Sequence, residues 1–213
     1  MSQADPPPEL QNRRPLTSRS SGWARSLSAV LIRSGISPNA ISVISVVFAA
    51  AGAAALIWLP HPVGLLATAA CIQLRLLCNL LDGMVAIEGK RQSATGALFN
   101  EIPDRVADSL FIVAVGYAID MPWLGWLGAL AAAVTAYIRV LGGSFGLPQD
   151  FRGPMAKPHR MAVLTGACVL AAVELWFADT HWALVAAAWI VAIGSVITCA
   201  TRTAAIARQL RAR

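Results

Sequence analysis

The sequence predicts an all-α integral membrane protein: six transmembrane helices preceded by a juxtamembrane amphipathic helix. Three observations carry that reading. Of 213 residues, 57% are hydrophobic and only 13% are charged, a balance foreign to soluble domains and to disordered chains alike. Six apolar stretches of about 20 residues, the length that crosses a hydrocarbon core, fill the region from Ser37 to Ala207. The turns at residues 60–62, 120–123 and 179–181 contain no Lys or Arg, whereas the basic residues lie in the remaining segments or near that side of the spans. This bias places both termini in the cytoplasm and makes the chain a multi-pass protein of the cell membrane.

Taken in order, residues 1–20 are rich in Pro, Ser, Arg and Gln and read as a disordered cytoplasmic tail without the apolar segment of a signal peptide. In the segment 21–34, Trp23, Leu27, Val30 and Leu31 recur at helical spacing while Arg25 and Arg33 fall elsewhere on the wheel. An amphipathic helix on the membrane surface fits this pattern; a plain solvated leader is the alternative. Gly35 to Asn39 breaks the chain, and Pro38 suits the first turn of a span that runs to about Leu59. Pro60-His61-Pro62 is an outer turn with a solvated histidine. The second span, about Val63 to Glu88, carries Arg75, Asn79 and Asp82; Arg75 either offsets the carboxylates or contacts phosphate. The third span starts near Thr95 and ends near Ile119, with Pro103 predicted to kink it beside Asp104. The fourth follows Trp123 and ends near Leu141, with Trp123 and Trp126 in an interfacial belt.

The longest internal loop, Gly142 to Arg160, is basic. With Arg139 it presents Lys157 and Arg160 either as a topology signal and a contact to anionic lipid headgroups, or as a pocket for a phosphorylated or otherwise anionic alcohol. The fifth span covers about Met161 to Phe177, with Glu174 expected to snorkel to the outer interface, and the sixth runs from Trp182 to about Ala207. Residues 35–208 thus form one membrane domain, followed by a basic tail at 209–213. The four cysteines lie inside apolar runs without C-x-x-C spacing, as small core residues do. The net charge of +6 comes without aromatic-interleaved basic patches, which argues against a nucleic-acid partner.

Polar side chains at membrane depth are costly and mark functional sites. Between the second and third spans they are concentrated. Asn79, Asp82 and Ala86 share one helical face, with Gly83 beside Asp82; Asn100, Asp104 and Asp108 form a second stripe, each one turn after the last, with Gly96 one turn before Asn100. Antiparallel packing of the two helices across the loop at 88–94 brings Asn79, Asp82, Asn100 and Asp104 together at one boundary. Four oxygen donors without His or Cys make a hard-cation site, suited to Mg²⁺, with Mn²⁺ as the alternative. Gly83 and Gly96 leave room for close approach of a ligand to the backbone.

The spacing N-x-x-D-G-x-x-A-I-x₈-G-x-x-x-N-x-x-x-D resembles, without a gap, the signature D-x-x-D-G-x-x-A-R-x₈-G-x-x-x-D-x-x-x-D of the CDP-alcohol phosphotransferase (phosphatidyltransferase) family. The resemblance implies an enzyme that moves a phosphatidyl group from a CDP-activated lipid, such as CDP-diacylglycerol, to a small alcohol and releases CMP. It implies that Asp82 is a metal ligand, that Asp82, Gly83, Ala86 and Gly96 serve the nucleotide site, that Asp104 is the general base, and that the protein is a homodimer among membrane lipids. Asn79, Asn100 and Ile87 depart from the signature. Glu101 and Asp108 are candidates to restore charge, and Lys90 or Arg91 to replace the arginine at Ile87. Arg139, in T-A-Y-I-R, resembles the arginine of members that use inositol phosphate. Two rivals follow from the departures and from the buried carboxylates: a non-catalytic CDP-lipid binder of the same fold, and a small transporter. The transporter fits less well with a site at one boundary, because transporter sites usually lie near the midplane.

Overall fold

A computed structural model describes residues 21–59, 61–178 and 180–213. The tail at 1–20 and the turn residues Pro60 and Asp179 lie outside them. Among the described residues there are seven helices and no strand: α1 (Gly22–Ser34), α2 (Pro38–Trp58), α3 (Val63–Glu88), α4 (Gly96–Ala118), α5 (Pro122–Ser144), α6 (Lys157–Glu174) and α7 (Trp182–Arg211).

Local chemistry sets the first boundaries. Gly35, at φ +82°, closes α1 in the left-handed conformation that glycine adopts without strain, its N–H reaching Ile32 O. Two residues on, the Ser37 hydroxyl accepts from Ala40 N at 3.1 Å, and Pro38 occupies the first turn of α2. α4 runs unbroken through Pro103.

The six long helices close into a ring in the order α2, α3, α6, α7, α5, α4, with α1 outside against α3. Small residues permit the closest crossings. A Cβ on Gly116 would lie 2.6 Å from Gly125 Cα, so α4 and α5 meet backbone to backbone there. The inner faces form one continuous apolar core that includes Leu65, Ile72, Phe111, Leu124, Leu164 and Val191. Their outer faces expose Val47, Trp58 and Leu130, and the turn after α6 exposes Trp176 and Phe177, as suits surfaces solvated by lipid.

Four helices, α2, α3, α5 and α7, are long and apolar enough to cross a membrane. The expected third and fifth spans, α4 and α6, fall short of that standard for a physical reason. α4 carries Glu101, Asp104, Arg105 and Asp108, and the 18-residue α6 carries Lys157, Arg160 and Glu174. The ring receives Asp104, Asp108, Lys157 and Arg160 on its interior, where they pair with one another.

Two elements have partners that local spacing does not show. α1 lays its inner face on the protein: Ala24 and Ser28 are fully buried, Ala24 packs on Leu80 and Met84, and Leu27, Leu31 and Ile32 pack on the cluster of Ile41, Cys78, Leu81 and Val85. The small residues at 24 and 28, one turn apart, make the groove that admits α3, while Trp23 and Val30 stay exposed. The Glu174 carboxylate oxygens accept from Ala183 N at 3.1 and 3.3 Å, capping the N-terminal turn of α7.

Candidate active site

The C-terminal part of α3 and the N-terminal part of α4 supply the polar centre, as the spacing predicts, but α3 and α4 are not ring neighbours. α2 packs on both, and long side chains bridge the interior between them. Arg75 reaches from α3 to α4. Its Nη2 donates to Asp104 Oδ1 at 3.2 Å, to the Asp104 carbonyl at 3.2 Å and to Asp108 Oδ1 at 2.7 Å. From the opposite side Arg160 of α6 donates to Asp108 Oδ2 at 2.7 Å through Nη2 and to Met155 O at 2.7 Å through Nη1. Arg75, Asp108 and Arg160 are all fully or almost fully buried and tie three helices together. Buried charges persist only with such compensation, and removing one partner typically costs about 3–5 kcal/mol.

One turn earlier on α4, Asp104 is held on both carboxylate oxygens. Oδ1 accepts from Asn79 Nδ2 at 2.8 Å as well as from Arg75, while Oδ2 pairs with Lys157 Nζ and lies 3.7 Å from Arg105 Nη2. Asp82 has a different environment. It is buried, and its Oδ2 accepts from the Ser42 hydroxyl at 2.6 Å. No Lys, Arg or His nitrogen among the described residues lies within ion-pair distance of it. Asp104 and Lys157 are both within electrostatic range of Asp82.

The donor chemistry fits a hard divalent cation at this point: a buried anion without a cationic partner, the amide of Asn79 one turn before it, and Asp104 opposite. Among the described residues no group of three or more His, Cys, Asp or Glu is gathered for a metal, which follows from the amides at 79 and 100. Asn100 is exposed, one turn closer to the boundary than Asp104.

The residues expected on the nucleotide side flank the polar centre along the chain, Gly83 and Ala86 near the end of α3 and Gly96 at the start of α4. Gly83, Ala86 and Gly96 are half-buried. A Cβ on Gly96 would meet only Ser93 Oγ at 3.5 Å, an ordinary contact, so packing among the described residues does not demand glycine there. Ile87 is exposed, and the segment that follows is fastened to the front of the chain. Arg91 Nη1 donates to Ile36 O at 3.3 Å, and Ser28 Oγ donates to Glu88 Oε2 at 2.5 Å. Lys90 turns the chain with φ 51°.

The three bases expected around an acceptor have different side-chain partners. Lys157 joins Asp104, Arg160 is committed to Asp108, and Arg139 forms its own group: Nη2 to Glu101 Oε1 at 2.5 Å, Nη1 to Gln149 Oε1, and the guanidinium 5.4 Å above the Phe151 ring. Glu101 therefore answers Arg139, and Asp108 answers Arg75 and Arg160; neither replaces the acids missing at 79 and 100. Sequence reasoning missed Ser42 as the partner of Asp82. The signal was present in the one-faced run of small residues Ser42, Ser45, Ala49 and Gly52 on α2, all buried.

A family model described as CDP-alcohol phosphatidyltransferase matches residues 35–199. The phosphatidylinositol phosphate synthase of Mycobacterium marinum is 32% identical over 185 residues, covering 83% of this chain and 76% of that protein. The archaetidylinositol phosphate synthase of Aeropyrum pernix is 29% identical over 188 residues, covering 88% and 92% respectively. In backbone, the crystal structure of Mycobacterium tuberculosis phosphatidylinositol phosphate synthase with CDP-DAG bound superposes with a TM-score of 0.72 at 22% identity, over 87% of this chain and 94% of that one. The crystal structure of the same enzyme with manganese and citrate gives 0.71 at 23% identity, over 86% and 88%. At these identities the two structures speak to the fold.

Proposed function

Because the chain belongs to the CDP-alcohol phosphatidyltransferase family, whose model spans residues 35–199, we propose that it transfers a phosphatidyl group from CDP-diacylglycerol to a hydroxyl of an inositol phosphate, releasing CMP. The observation that carries the reading is the pairing of two unlike carboxylates across the ring interior: Asp82, buried without a cation, and Asp104, held in place by Asn79, Arg75 and Lys157. The names of the relatives support the acceptor, since both synthases form inositol phosphate lipids.

In this reading Asp82 holds a divalent cation, Mg²⁺ or Mn²⁺, with the side-chain oxygens of Asn79, Asn100 and Asp104 around it. When bound, the ion neutralises the donor's pyrophosphate and the leaving phosphate, the dominant requirement in phosphoryl chemistry. Gly83, Ala86 and Gly96 admit the cytidine end, with Arg91 close by on the following loop. The acyl chains stay among the helices in the bilayer. Asp104 takes the proton from the acceptor hydroxyl; the new bond forms between that oxygen and the lipid-linked phosphorus, and the bond from phosphorus to the bridging oxygen of CMP breaks. Arg139 and Lys157 meet the acceptor phosphate. Arg160, locked on Asp108, acts through the scaffold. The topology that serves this chemistry has six crossings in a domain of residues 35–208, with tails at 1–20 and 209–213 and with site and termini cytoplasmic.

The test is CMP release by the purified chain in nanodiscs with CDP-diacylglycerol, Mg²⁺ or Mn²⁺, and a panel of inositol phosphate, glycerol phosphate, inositol and serine. Metal-dependent release with inositol phosphate is the expected result. Asp104→Asn is expected to abolish turnover while CDP-lipid binding survives; loss of both together would make Asp104 a ligand and not the base. Asn79, Asn100 and Ile87 keep one second reading in play, a non-catalytic CDP-lipid binder, and binding without CMP release from any acceptor would select it.

A further inference from the structure

We propose that Lys157 is a resident cation of this centre: its ammonium occupies the place at Asp104 that a second divalent ion would fill, so the site takes one metal ion only, at Asp82. The inference rests on the metal-dependent reading above and concerns how the chain's own residues divide the positive charge.

Three observations carry it. The first is saturation. Asp104 Oδ1 accepts from Asn79 Nδ2 and Arg75 Nη2, and Oδ2 is in contact with Lys157 Nζ, with Arg105 Nη2 at 3.7 Å. Any ion ligated by Oδ2 must displace the ammonium. The second is asymmetry. Asp82, equally buried, has the uncharged Ser42 hydroxyl on Oδ2 and no cationic partner among the described residues, so the demand for a cation is concentrated there.

The third is charge balance. Three carboxylates, Asp82, Asp104 and Asp108, face four cations, Arg75, Arg105, Lys157 and Arg160. One divalent ion leaves an excess of three positive charges, two of which the donor's pyrophosphate can neutralise. A second would leave five around the desolvated Arg75 and Arg160. Asn79 belongs to the same arrangement. An aspartate there would set a second negative charge against Asp104, whereas the amide donates to it at 2.8 Å. The amide at 79 and the ammonium of Lys157 are thus two halves of one substitution: a carboxylate is removed, and a tethered cation takes the place of the ion that carboxylate would have helped to hold.

Manganese binding to the purified full-length chain tests this without turnover. The free-Mn²⁺ signal in electron paramagnetic resonance is followed as the ion is titrated against the protein and its variants. The expected results are one Mn²⁺ per wild-type chain; for Lys157→Met, a second bound ion or at least tenfold tighter binding; for Lys157→Arg, wild-type stoichiometry; and for the Asn79→Asp/Lys157→Met double variant, two ions. Asp82→Asn abolishes the wild-type site. Two ions on the wild type, none on it, or Lys157→Met indistinguishable from wild type overturns the proposal, and the persistence of the Asp82 site in the variants at Lys157 and Asn79 shows that they are folded. The two readings fail separately: one bound ion without CMP release sinks only the transferase, and two bound ions with CMP release sink only the role of Lys157.

Discussion

Asp82 and Asp108 are both aspartates on long helices, both buried in the same ring, and they differ in everything around them. Asp108 is clasped by Arg75 and Arg160 at 2.7 Å on each oxygen, while Asp82 has one hydroxyl hydrogen bond and no counter-ion among the described residues. A charge that serves the fold arrives with its compensation from neighbouring helices. A charge left without it keeps its affinity for a ligand that comes from outside. Asp104 lies between the two in sequence and in character, shared by Arg75 from the scaffold side and by Asn79 and Lys157 from the site side.

The comparison can be broken by removing each charge in turn. Asp82→Asn is expected to lower kcat/KM for CMP release by about 10²–10³-fold or more, because the ion that neutralises the pyrophosphate is lost. Its metal-free thermal stability should hold or rise, since an uncompensated buried anion has become a neutral amide that Ser42 can still bond. Asp108→Asn should do the reverse to the fold. Two buried guanidinium groups lose their shared partner, at about 3–5 kcal/mol, and Tm is expected to fall on the order of 10 °C in detergent. Equal falls in Tm for the two variants would mean that both aspartates are scaffold, and the contrast drawn here would be gone.

How much of this was legible in the sequence depends on whether a feature is local. The cap at Ser37-Pro38, the glycine stop at Gly35 and the spans α2, α3, α5 and α7 follow from chemistry within a few residues of each boundary, and all were readable. So was the convergence of Asn79, Asp82 and Asp104, because a helical stripe fixes which side chains share a face. The partners across the ring were not. Ser42 sits 40 residues from Asp82, Lys157 sits 53 from Asp104, and Arg160 sits 52 from Asp108. Nothing in local spacing shows that α2 is wedged between α3 and α4, or that α6 delivers its first turn to the site. The docking of α1 was hidden for a related reason. Its large residues advertise a membrane face, but Ala24 and Ser28, small and easily passed over, decide where it docks.

A gentler probe sharpens the same contrast. Ser42→Ala removes the hydroxyl that holds Asp82 Oδ2 and should cost about 1 kcal/mol of stability at most. Its functional signature is expected to be a several-fold weaker apparent affinity for Mg²⁺ or Mn²⁺, with kcat recovered at saturating metal. A drop in kcat that excess metal does not restore would place Ser42 in contact with the donor lipid instead.

The smallest expected effect lies at the front of the chain, where the uncompensated side of the site is fastened. Ser28 Oγ reaches Glu88 Oε2 at 2.5 Å, and Glu88 follows Ile87, the position at which the family signature carries arginine. With Arg91 bonded to Ile36 O, this contact fixes the segment between α3 and α4 against the α1–α2 junction. Ser28→Ala therefore removes one hydrogen bond at about 1 kcal/mol while the packing of Ala24 on Leu80 and Met84 remains. If the contact positions the residues on the nucleotide side, KM for the CDP-lipid rises a few-fold and kcat is unchanged. Unaltered KM with the same loss of stability would make α1 an ordinary brace on α3, and would leave the placing of Gly83, Ala86 and Gly96 to α3 and α4 alone.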